Sequence, residues 1–88
     1  MSFDSDTHRV RRVAIAILSY LRANPHAKDN LEGIARWWVN EECQVVQKSL
    51  ALLLEIGAVE TSRDHYALST QFDDSKAGTA IEDLMKCL

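Results

Sequence analysis

Eighty-eight residues, 47% hydrophobic and 26% charged, make one small globular domain and exclude a chain disordered throughout. A chain of this size buries roughly 60% of the surface that its unfolded form exposes, enough for a single core. The net charge of −3 is unevenly spread: residues 1–40 hold six Lys/Arg against four Asp/Glu, residues 41–71 two against five, and residues 72–88 two against four, so the middle of the chain is its most acidic part.

Residues 1–6 read as a flexible N-terminus. Ser5, Asp6 and Thr7 offer side-chain oxygens to the free N–H groups of a first helical turn. Val10, Val13, Ala14, Ile17, Leu18 and Leu21 then recur at helical spacing, which predicts a helix over 7–23. Asn24-Pro25 ends it, because a residue before proline is pushed out of the helical region. Asp29 followed three residues later by Glu32 resembles a capping box. Leu31, Ile34, Ala35 and Trp38 share one face of a short second helix, 30–38, with Trp37 about a third of a turn away. Asn40 is the expected N-cap of a third helix, 41–56, with Val46, Leu50, Leu53 and Leu54 as its inner stripe, Cys43 toward that inner side, and Gly57 at its left-handed exit. Two alternating segments, 58–61 and 65–69, flank the turn-rich tip Ser62-Arg63-Asp64 and predict a β-hairpin. Asp74 and Ser75 open a last helix with Ala77, Ile81, Leu84, Met85 and Leu88 on one side.

The longest unbroken apolar run, Val13 to Leu18, is far too short to span a bilayer, and the opening MSFDSD has no signal-peptide pattern. A cytoplasmic protein without membrane contact is expected. Cys43 and Cys87 form no CxxC, and His8, His26 and His65 are scattered, so neither a metal site nor a cofactor is expected. No glycine-rich phosphate loop, GxSxG or HExxH occurs, and the reading is non-enzymatic.

Three helices followed by a hairpin, with the second and third helices joined by a tight turn, is the order of a winged helix-turn-helix. LEGIARWW resembles the second helix of that family, with Ala35 at the small-residue position where the second and third helices cross. VVQKSLALLLEIGAVE resembles its third helix and exit, and VETSRDHYALS its wing. The resemblance covers residues 8–69 and implies a mainly α fold: a three-helix core plus a small β-hairpin wing over 7–69, extended by the helix in 70–88. It implies fold more than function, because such domains serve both as DNA readers and as protein-docking modules.

With Leu50 taken as the inward direction, the outer face of the third helix carries Glu41, Gln44, Val45, Lys48, Ala51, Leu52 and Glu55. In DNA-binding relatives this face enters the major groove. Gln44 would pair with adenine and Lys48 with guanine or a phosphate, while Arg63 and His65 on the wing would reach a neighbouring phosphate. Arg11 and Arg12, in the basic run His8-Arg9-Val10-Arg11-Arg12, are further backbone candidates; the same run would equally neutralise Asp4 and Asp6, or the acidic residues of the C-terminal helix. Two glutamates at the start of the helix suit its dipole and repel phosphate. The alternative is a protein partner, held by an apolar patch of Trp37, Val45 and Leu52. Ile81, Leu84, Met85 and Leu88 either pack on the first helix or pair two copies into a homodimer.

Overall fold

The computed structural model describes residues 3–72 and 74–86, with side chains from residue 8 onward except at residue 74. Four helical segments and a three-stranded antiparallel sheet follow in the order α1 (Phe3–Ala23), β1 (Lys28–Asn30), α2 (Leu31–Gly33, continuing as a π-helical turn Ile34–Trp38), α3 (Cys43–Glu55), β2 (Val59–Ser62), β3 (His65–Leu68) and α4 (Asp74–Lys86). No helix among the described residues is long and apolar enough to cross a membrane.

Helix α1 begins at Phe3 and not at Thr7, so residues 3–6 are part of the helix. Its end at Ala23 is the expected one: Asn24 N–H donates to the Tyr20 carbonyl (2.9 Å), and Pro25 allows no further turn. Val13, Ala14, Ile17, Leu18 and Leu21 are all buried and form the central stave of the core. Helices α3 and α4 both pack on this stave.

Strand β1 was not expected. Lys28, Asp29 and Asn30 pair with Ala67, Tyr66 and His65, which gives the sheet order β1-β3-β2. Asn30 also caps α2, its Oδ1 accepting from Gly33 N–H at 2.8 Å. The cap is therefore Asn30 and not Asp29, whose Oδ1 accepts instead from Asn30 N–H (2.8 Å). Val39 N–H then donates to the Ile34 carbonyl (3.2 Å), the i to i+5 bond of a π turn. That wider turn buries Ile34 and Ala35 and lays Trp38 on Tyr20, with ring centroids 4.5 Å apart and planes 15° apart.

Asn40 does not cap α3. It sits at φ 52°, in the left-handed region that asparagine tolerates, and reverses the chain; α3 starts at Cys43, with Glu42 as its extended N-cap. Facing α1, α3 buries Val46, Ser49, Leu50 and Leu53. The Ser49 hydroxyl lies 2.8 Å from the carbonyls of both Val10 and Val45, so a small polar group is satisfied where the two helices cross. Ser49→Leu would make the stripe of α3 wholly apolar, yet it is expected to destabilise the fold by about 1–3 kcal/mol, because the added volume wedges α3 off α1. Chemical denaturation of the variant checks this.

Gly57 closes α3 as expected. At φ +79° its N–H donates to the Leu54 carbonyl (3.1 Å) and Ala58 N–H to the Leu53 carbonyl (2.9 Å), a Schellman ending. A Cβ at Gly57 would meet nothing within 4 Å, so the cost of Gly57→Ala is that of the left-handed backbone alone, about 1–2 kcal/mol by thermal unfolding. Arg63 and Asp64 both have positive φ (50° and 68°), which makes the hairpin tip a two-residue turn whose twist matches its strands.

Helix α4 lies against α1 of the same chain. Ala77 and Leu84 are buried, Ala80 and Ile81 are partly buried against the core, and Met85 is 57% exposed. Of the two uses expected for this apolar stripe, packing on the first helix takes up Ala77, Ile81 and Leu84. Leu88 and Cys87 lie outside the described residues.

Candidate functional site

Helix α3 has one side with no cover. Gln44, Gln47, Lys48, Ala51 and Glu55 are all exposed along it, between a buried side on α1 and the hairpin that follows. The buried set Val46, Ser49, Leu50 and Leu53 is centred roughly 50° from Leu50, at about 100° per residue. That rotation corrects the sequence-based face in three ways. Val45 and Leu52, expected to point outward, are half-buried and packed against the core. Cys43, expected inward, is exposed, and Leu54, assigned to the inner stripe, is 37% exposed. Gln47, absent from the expected outer face, joins it. The signal for this phase was Ser49, a small hydroxyl able to bond the carbonyl one turn back and so to be buried among apolar neighbours.

The two glutamates at the start of α3 have a counter-ion. Arg9 Nη2 donates to Glu41 Oε1 at 2.9 Å and lies 3.7 Å from Glu42 Oε1. Part of the basic run thus neutralises acidic groups within the chain, but the partners are Glu41 and Glu42, just before α3, and not the Asp4, Asp6 or C-terminal-helix carboxylates expected. Partly exposed pairs of this kind contribute at most about 1 kcal/mol to stability. Their larger effect here is on the local field at the N-terminal end of α3.

The remaining basic candidates are divided by the fold. Arg12 is exposed and lines an open cavity of about 590 Å³ with His8, Arg9, Val39 and Glu41, next to the start of α3. Arg11, one residue away, lines a different groove, with Leu52, Ile56 and α4. Arg63 is exposed at the hairpin tip, and His65 is held beside it, its Nδ1 3.0 Å from the Arg63 carbonyl. Between the hairpin, α2 and the start of α3 lies a cleft of about 760 Å³ lined by Glu32, Glu41 and Asp64 against a single arginine, Arg36. Such a cleft disfavours phosphate. Among the described residues no three His, Cys, Asp or Glu side chains are grouped to hold a metal ion.

No protein-family model, curated protein or solved structure matches this chain. The apolar surface differs from expectation as well. Trp37 is 75% exposed on the π turn, but the Val45 and Leu52 meant to extend its patch are half-buried. Among the described residues the other large exposed apolar side chains are Leu54, Ile56 and Met85, near the end of α3 and on α4.

Proposed function

We propose that the chain is a non-enzymatic regulatory module of the winged helix-turn-helix type that binds DNA, with α3 in the major groove and β2–β3 as the wing. The order of elements and the sheet order β1-β3-β2 support the fold reading, because β1 joins the hairpin strands into one sheet beside the α2–α3 pair. The observation that carries the functional reading is the uncovered polar face of α3, Gln44-Gln47-Lys48-Ala51, flanked by the hairpin tip. Its amides suit adenine edges, its lysine suits guanine or phosphate, and Ala51 lets a helix approach the groove floor. Arg63 at the tip and Arg12 near the start of α3 would meet backbone phosphates on either side. One objection raised by the sequence falls, since Leu52 is not on the reading face, and the other is reduced to Glu42, since Glu41 is paired with Arg9.

Few cations take part, so affinity would have a shallow salt dependence and depend on base contacts more than on phosphates. Action as a homodimer on a symmetric site belongs to the same reading. Pairing through α4 would rest on Met85, since Leu84 is buried within the chain. Retention of a discrete set of genomic DNA fragments at physiological salt would support DNA binding. Absence of binding even at low salt would remove it. The second reading, docking of a protein partner, is favoured by Trp37 alone, a large aromatic left 75% exposed.

A further inference from the structure

At the far end of α3 from Gln44, the last turn of the helix and the outer side of α4 enclose a groove of about 470 Å³. That volume lies within the range of small-molecule sites, roughly 300–1,000 Å³. Its apolar wall is built by Leu52 and Ile56 from α3, Phe72 from the connecting segment, and Ala80 and Leu84 from α4. Ile56 is 42% exposed there, a large side chain left in water beside an otherwise packed core.

Three charged groups complete the lining: Arg11 from α1, and Lys76 and Asp83 from α4. Lys76 already donates to the Gln71 carbonyl at 3.2 Å. Arg11 is half-buried and makes no ion pair among the described residues. A guanidinium held against an apolar wall, partly desolvated and with no ion pair among the described residues, is stabilised by an anion that brings its own apolar body.

We infer that this groove binds a small monocarboxylate with an alkyl or aryl body, its carboxylate on Arg11 and its body on Leu52, Ile56 and Phe72. A ligand so placed touches α1, α3 and α4 at once. It would therefore couple the position of α3 to the presence of the acid, and its binding does not depend on what the outer face of α3 contacts.

The test is titration of the isotope-labelled full chain with octanoate and with 3-phenylpropionate, followed by backbone amide shifts, with octanamide as the uncharged control. Saturable shifts centred on Leu52, Ile56, Thr79 and Leu84 are expected, and the tighter of the two acids distinguishes an alkyl from an aryl site. Arg11→Gln should weaken the acid about tenfold while leaving octanamide unchanged. Ile56→Glu, at a position 42% exposed, should keep the fold and abolish acid binding by repulsion. The inference is overturned if neither acid gives saturable shifts at millimolar concentration, if octanoate and octanamide bind equally, or if folded Arg11→Gln binds the acid as well as the unmodified chain does.

Discussion

Leu53→Ala lowers the free energy of unfolding by about 2–5 kcal/mol, whereas Leu54→Ala, at the adjacent position, costs less than about 1 kcal/mol. Leu53 is fully buried and Leu54 is 37% exposed, although both read alike as members of one apolar stripe. Truncating Leu53 leaves a cavity in the core around α1 that a domain with one small core has little means of refilling. Total stability for a chain of this length is on the order of 5–10 kcal/mol, so the loss is a large fraction of it. With each kcal/mol worth about 4–8 °C in a domain of this size, the Leu53 variant should melt on the order of 10 °C lower or more. The Leu54 variant should melt within a few degrees of the unmodified chain. Urea and thermal unfolding by circular dichroism measure both. Equal losses at the two positions would mean that α3 is rotated from the phase described, and with it the identity of its exposed face.

Reversing charge at Lys48 and Arg63 together should nearly abolish DNA binding while leaving the fold intact. Both side chains are exposed, and neither makes an ion pair among the described residues, so Lys48→Glu with Arg63→Glu removes no internal contact of this kind. Each lost phosphate contact reduces the slope of log affinity against log salt by about 0.9, and two reversed charges add repulsion to that loss. A fall of at least about a hundredfold at low salt is expected, on the scale of a few kcal/mol for charged contacts. Gln44→Ala should act differently: it should relax discrimination between fragments, by about 1–3 kcal/mol at the base it reads, with little change in salt slope. Trp37→Ala should leave DNA binding unchanged. The reverse pattern, in which Trp37→Ala abolishes capture of a partner and the charge reversals do nothing, would transfer the functional surface from α3 to the π turn.

The candidate site was legible to the extent that it is local. Gln44 and Lys48 were placed on the outer face of α3 because even a rotated wheel keeps residues four apart together. Gln47 and the inward turn of Val45 and Leu52 were not legible, because the wheel was centred on Leu50 and the burial of Ser49 depends on a carbonyl of α1. The pairing of Arg9 with Glu41 spans 32 residues, and no periodicity within either helix implies it.

Read locally, the sequence is enough for the end of α1 at Asn24-Pro25, the existence of α3 and its stop at Gly57, a hairpin turning near Arg63-Asp64, and the start of α4. Each follows from forces acting within a few residues: a restricted φ, a left-handed position that glycine fills without strain, and apolar groups recurring each turn. That Ser62 belongs to β2, paired with His65, and not to the tip was set by the strand register. Tertiary structure alone decided that Lys28–Asn30 is a strand, since three polar residues carry no β signal and become one only when β3 offers its edge. It also decided the widening of α2 around the Tyr20–Trp38 stack, the rotation of α3, and the use of α4 within the chain. Those features rest on contacts between residues far apart in sequence, whose energies exist only once the partner surface has formed.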